Sequence, residues 1–168
     1  IAREALMHDT FGAAIDYDGG RYGIGLLSRE RPLSVHRVAL PGREESRTLL
    51  VAEFDRYVVG CLHLSLTAQD RMASLPLLRK EAGRHTKPFI LTGDWNDTIG
   101  SAFMKELQKD FRLMNNGKNA TFPAGKPKEC LDFIALYKPT GSEVVGRSSL
   151  VVSEKTASDH RPVSAVLQ

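Results

Sequence analysis

The stretch RTLLVAEFDRYVVGCLHLSL, residues 47 to 66, decides the fold. RTLLVAEF (47–54) and YVVGCLHLSL (57–66) are nearly continuous apolar runs separated by Asp55 and Arg56. Runs of this length, apolar nearly throughout and broken by a two-residue polar turn, predict paired central strands covered on both faces. Such a pair requires a layered fold around it. Downstream, Thr67 and Asp70 match a Thr-x-x-Asp capping box, and DRMASLPLLRKEA carries helical apolar spacing at Met72, Leu75, Leu78 and Ala82. Pro76 is expected to kink this helix or mark its first turn. PFILTGDWND (88–97) reads as a buried strand ending in a polar loop and GSAFMKEL as a short helix. ECLDFIALY (129–137) and RPVSAVLQ (161–168) read as two further strands.

Upstream, IAREALMHDT (1–10) reads as the end of a helix, opening without a capping residue. From Phe11 onward, short runs of Ile, Val, Leu and Tyr alternate with DYDGG, RERP, PGREES and FDR, the pattern of hairpin-connected strands. No repeat, low-complexity tract or linker divides the 168 residues, so one domain over 1–168 is expected. Strands outnumber helices and mix with them, which favours an α/β sandwich over a bundle or a purely parallel sheet.

A hydrophobic content of 42% is ordinary for a globular chain of this length. No apolar stretch reaches the roughly 18 residues of a membrane span, and no signal-peptide pattern opens the chain, so the residues assign no compartment. Cys61 and Cys130 form neither a disulfide framework nor a metal-binding pair and are expected as buried thiols. The net charge of +3 suits a phosphorylated substrate and is too mild to demand nucleic acid. GREESR, RKEAGRH and NNGKNATFPAGKPK are partly balanced by acids and read as solvated surface.

Four polar interruptions fall at ends of apolar runs. In TGDWND, Asp94 and Asn96 are two apart, and in extended chain such residues share a face about 6.6–7 Å apart. A carboxylate that orients or deprotonates water, beside an amide that holds an anionic oxygen, suits attack on phosphate. Taken alone, Gly-Asp-x-Asn is a turn, because these residues hydrogen-bond their own backbone. Asp132 interrupts LDFIAL, and an ionisable group there requires a partner, most naturally a histidine. His63 interrupts YVVGCLHLSL in the same way, and Ser158-Asp159-His160-Arg161-Pro162 precedes the last strand. Six such groups, Asp94, Asn96, Asp132, Asp159, His63 and His160, resemble a set converging on one rim.

Taken in order, YGIGLLSR (22–29), CLHLSL (61–66), GDWND (93–97), TFP (121–123), LDFIAL (131–136) and SDHRPV (158–163) resemble the successive signatures of the endonuclease/exonuclease/phosphatase superfamily, the fold of DNase I and exonuclease III type enzymes. The resemblance implies a four-layered α/β sandwich that hydrolyses phosphoesters with a divalent cation, usually Mg²⁺ and in some cases Mn²⁺ or Ca²⁺. The absence of a thiolate cluster agrees with a hard cation. It further implies that Asp94 activates water, that Asn96 holds water or phosphoryl oxygens, and that His160 stabilises charge on the scissile phosphate. Asp132 would orient His160, Asp159 and Asp94 would hold metal, His63 would contact phosphate, and Tyr22 would line the mouth. Family members open with a strand-helix-strand whose Gln-Glu pair supplies a metal ligand. That segment has no counterpart here, so an N-terminally incomplete fold is expected. Substrates in the family include DNA, RNA and smaller phosphoesters.

Two competing expectations remain. One is a catalytically inactive remnant that binds a phosphate ligand or a partner. The other is an unrelated β-rich binding domain, which would leave Asp132 and His160 far apart. Gly-x-Gly-x-x-Ser at 23–28 lacks the third glycine, following helix and later acid of a dinucleotide site, so no nucleotide cofactor is expected.

Overall fold

The computed structural model describes residues 1–168. One short helix, α1 (Ala2–Ala5), opens the chain, followed by β1 (His8–Tyr17), β2 (Gly20–Ser28), β3 (Ser34–Leu40), β4 (Arg47–Glu53) and β5 (Val58–His63). Then come α2 (Ala68–Ala82), β6 (Phe89–Asp94), α3 (Ala102–Leu107), β7 (Phe111–Leu113), β8 (Asp132–Tyr137), β9 (Gly146–Val151) and β10 (Val163–Leu167). Six strands form one mixed sheet in the order β3-β4-β5-β6-β8-β7, while β1-β2 and β9-β10 are separate antiparallel pairs.

The centre of this sheet is the pair expected at 47–66. β4 and β5 run antiparallel, with Leu49 opposite Leu62 and Glu53 opposite Val58. β5 and β6 run parallel, joined by α2 as a crossover. Alternation along each strand then sorts the side chains by face. Leu49, Val51, Val58, Leu62, Phe89, Leu91, Phe133 and Ala135 join Leu75 and Leu78 of α2 and Phe103, Met104 and Leu107 of α3 in one core. On the opposite face the β1-β2 hairpin lies over β4, where a Cβ on Gly12 would stand 3.2 Å from the Leu50 side chain. The β9-β10 hairpin meets β8. Helices, central sheet and hairpins are therefore successive layers of an α/β sandwich.

Several local expectations need correction. The helix at the start ends at Ala5, Leu6 takes a left-handed φ of 54°, and His8 to Thr10 already belong to β1. The β1-β2 ladder recruits them, and pairing of His8 with Ser28 outweighs a helical turn with no side-chain cap. β4 is buried from Arg47 to Ala52, with Glu53 half-buried, whereas Val59, Cys61 and His63 of β5 are half-buried. Cys130 is buried as expected, whereas Cys61 is half-buried. α2 runs through Pro76 without starting there, and Thr67 is its N-cap residue but makes no side-chain cap bond. Asp70 turns away from the capping role. Its carboxylate takes the Arg43 N–H at 2.8 Å and the guanidinium at 2.9 Å. GREESR thus lies at the surface, with Arg43, Glu44 and Ser46 exposed, but its charges are paired. Glu44 accepts from Ser65 Oγ at 2.8 Å and from the Leu66 N–H at 2.7 Å, and Arg47, nearly buried, is paired with Glu44 and Glu45.

Candidate active site

The register of the central sheet builds the site. His63 of β5 pairs across with Asp94 of β6, and Asp94 with Asp132 of β8. One row across three adjacent strands therefore presents an imidazole and two carboxylates on the face opposite the helices. Each is the last or first residue of its strand, so the sheet ends where the polar groups begin. His160, from the loop before β10, completes the group from above. Its Nδ1 lies 2.8 Å from Asp132 Oδ2 and its Nε2 3.8 Å from Asp94 Oδ2. An ionised carboxylate only accepts, so Nδ1 of His160 is the donor and Nε2 faces Asp94. His63 Nε2 is 3.3 Å from Asp94 Oδ2. The Phe122 ring packs against His160 in a tilted arrangement, 4.7 Å between centroids and 39° between planes. A cavity of about 310 Å³ opens here, lined by Thr92, Asp94, Asp132, Ser158, His160 and Arg161 among others.

The electrostatics follow from half-burial. Removal from water pushes the Asp94 carboxyl up, and Asp132 beside it adds to the rise, against the N–H of Asn96 and the two imidazoles. Burial holds His63 below its ordinary range despite Asp94. Burial also opposes charge on His160, but the Asp132 hydrogen bond with the charges of Asp132, Asp94 and Asp159 outweighs it and raises its pKa. The site thus holds a carboxylate biased toward accepting a proton beside an imidazole biased toward keeping one.

Loop geometry divides the remaining candidates. Asn96 does not continue the strand, because its φ is +48° and its N–H donates to Asp94 Oδ1 at 2.8 Å in a local turn. Its Nδ2 donates to the Leu64 carbonyl at 2.8 Å, so one amide proton is spent on joining two loops. The turn reading of this segment therefore holds. Asp159 is exposed, with the Ser158 hydroxyl 3.3 Å away, and its oxygens do not join the convergent group. Tyr22 stands on β2, 46% exposed, and is not among the residues around the cavity. The residues whose ligand atoms lie within 4.8 Å of one another are Asp94, Asp132 and His160. Of these, the two carboxylates offer the oxygen ligands that a hard divalent cation would take, with water and substrate completing its shell, while His160 is engaged through Nδ1 with Asp132.

Three contributors were not singled out in the sequence. Arg71, nearly buried on α2, donates to Asp97 at 2.9 Å and to the carbonyls of Ser65 and Leu66 at 3.0 and 2.8 Å. It ties the loop after His63 to the loop after Asp94. Asn115 bonds the main chain of β8 on both sides of Phe133. Arg161 lines the cavity with its Nε bound to the Ala124 carbonyl at 2.7 Å. An arginine or asparagine on a surface-like stretch carries no spacing signal; only Arg161 was within reach, by adjacency to His160.

The 2.8 Å contact between Asp132 and His160 removes the unrelated binding-domain alternative. No functionally curated protein matches the chain. Solved structures do. An endonuclease/exonuclease/phosphatase protein from Bacteroides vulgatus superposes with a TM-score of 0.79 at 19% identity, over 99% of this chain and 78% of that one. A mannosyl-6-phosphatase from Bacteroides thetaiotaomicron gives 0.77 at 16%, over 99% and 79%. D. rerio TDP2 complexed with single strand DNA product gives 0.76 at 17%, over 99% and 78%. At these identities the likeness shows the fold. Residues 3–160 match the family described as Endonuclease/Exonuclease/phosphatase, and the chain therefore belongs to that family of hydrolases acting on phosphoester bonds.

Proposed function

We propose that the protein is a metal-dependent phosphoester hydrolase in which Asp94 and His160 carry the chemistry. The observation that supports this most directly is the His63-Asp94-Asp132 row with His160 bridging Asp132 and Asp94. Asp94, its affinity for protons raised by burial, orients the attacking water and takes its proton as the new P–O bond forms and the P–O bond to the leaving alcohol breaks, the departing oxygen taking its proton from solvent water. Protonated His160, held at Nδ1 by Asp132, presents Nε2–H to the phosphoryl oxygen whose charge grows in the transition state. His63 gives a second contact for phosphate at the same rim. Asn96 fixes the Asp94 carboxylate through its N–H and keeps its amide oxygen for the water. Asp94 and Asp132 would hold Mg²⁺ or, in its place, Mn²⁺ or Ca²⁺. When bound, the cation neutralises phosphate charge. Phosphate substrates of either kind, small phosphoesters or DNA and RNA, fit this chemistry.

The test is hydrolysis of bis-nitrophenyl phosphate, double-stranded DNA and abasic-site DNA, with Mg²⁺ or with EDTA. Metal-dependent product release that disappears in His160→Ala supports the proposal, and the preferred substrate names the class. Turnover insensitive to both EDTA and His160→Ala would overturn it. The second reading, a remnant that binds phosphate ligands without turnover, draws on the diversion of the Asn96 amide and of Asp159 from the cluster. It predicts saturable phosphate binding with no product from any of the three substrates.

A further inference from the structure

The ladder between β7 and β8 stops early. Leu113 pairs with Ala135, the Met114 N–H reaches the Ile134 carbonyl at 2.7 Å, and the chain then leaves the sheet. This departure carries Phe122 over to His160, against which its ring packs at a tilt. It would also strip the outer edge of β8 of its partners at Asp132 and Ile134, next to the site. The side chain of Asn115, itself only 6% exposed, takes over. Its Oδ1 accepts from the Ile134 N–H at 2.9 Å and its Nδ2 donates to the Asp132 carbonyl at 3.0 Å. A side-chain amide here stands in for the peptide group of a missing strand residue. On the other edge of β8, Asp132 pairs with Asp94, the Trp95 N–H donates to the Leu131 carbonyl at 2.8 Å, and Thr121 Oγ1 accepts from the Leu131 N–H at 3.1 Å. The main chain at Asp132 is thereby held from both sides.

We propose that Asn115 is a positioning residue of the site, which sets the Asp132 carboxylate against His160 Nδ1 by fixing the Asp132 carbonyl. This rests on Asp132 and His160 acting as a pair in phosphoester hydrolysis. A cluster at a strand end has no further ladder to hold it, and a shift of about 1 Å in a group that orients a catalytic imidazole lowers rate by about a hundredfold. Asn115 removes that freedom while leaving the loop free to bring Phe122 across.

The experiment uses the whole chain with Asn115→Ala and Asn115→Asp. The aspartate keeps an acceptor for Ile134 but sets an oxygen against the Asp132 carbonyl, and it serves where the alanine variant does not fold by circular dichroism. We expect kcat to fall about ten- to a hundredfold, with KM changed less than about twofold. The downfield proton resonance of the His160 Nδ1–H should broaden or move upfield. In an Asp132→Ala background, Asn115→Ala should cause no further loss of kcat. Unchanged kcat and an unchanged downfield proton in a folded variant, with only the melting temperature lowered, would overturn the proposal. So would an equal loss of kcat in the Asp132→Ala background. If the unaltered protein hydrolyses none of the substrates, the catalytic reading fails, and the downfield proton alone then decides whether Asn115 positions Asp132.

Discussion

His160 is held by Asp132 from behind, by Phe122 from the side and faces Asp94 in front, so its role is open to a direct test. His160→Ala is expected to lower kcat about a hundred- to a thousandfold while shifting the melting temperature little, because His160 sits in the loop before β10, outside the buried core. Equal loss of stability and activity would contradict this assignment. Its pKa is raised above the ordinary 6.5, so the charged form is fully present below that value and is lost as pH rises through the raised one. Activity measured against pH should therefore fall on the alkaline side of neutrality, and the fall should vanish in His160→Ala. At Asp94 and Asn96 the sequence was half legible. Two polar residues after an apolar strand announced a site, but the left-handed φ of Asn96 and its bond to Leu64 depend on a loop 32 residues away in the chain.

β5 and β6 approach each other so closely that Gly93, at φ +138°, admits no side chain, and a Cβ there would overlap the Leu62 carbonyl. Gly93→Ala should destabilise the fold by about 3 kcal/mol or more, read as a drop in the urea midpoint. α2 is attached to this region by the nearly buried Arg71–Asp97 pair. Removing one member of such a pair leaves the other charge uncompensated, so Arg71→Ala should cost about 3–5 kcal/mol. Arg71→Ala should also raise amide exchange in the loops 64–67 and 95–98 ahead of the rest of the molecule. Neither feature stood out in the chain. The apolar spacing of α2 predicted a helix without saying which charge on it would be buried. The Thr67 and Asp70 pattern predicted a cap that Arg43, from a distant turn, takes away.

The network that joins the 41–47 turn to α2 sets how the fold responds to acid. Against the burial cost, backbone N–H groups, Ser65 and Arg47 bring the Glu44 carboxyl down to about 2, and Arg43 does the same for Asp70. Both folded pKa values lie below the ordinary 4.5 and 3.8, so the stabilisation is present above those values and lost as pH falls from there toward about 2. Thermal melting should therefore decline through that window, and Glu44→Gln with Asp70→Asn should flatten the decline. An unchanged slope in the double variant would show that other carboxylates govern acid unfolding. No helix is long and apolar enough to cross a membrane, in agreement with the hydropathy of the chain.

Strand and helix positions came largely from the chain itself, because apolar periodicity is a local property that each segment carries alone: 47–66, 88–97 and 129–137 became strands at the heart of the sheet. The ordered signatures also named the family, since they record which polar groups interrupt those strands. Brief, polar or edge elements such as β7 and β9 left no such trace. Which polar groups meet was decided in three dimensions. Register places His63, Asp94 and Asp132 in one row, the return of the chain before β10 adds His160, and the same geometry leaves Asp159 and Tyr22 outside. Distances across a sheet depend on pairing between residues far apart in sequence, and no local pattern in a single chain encodes them.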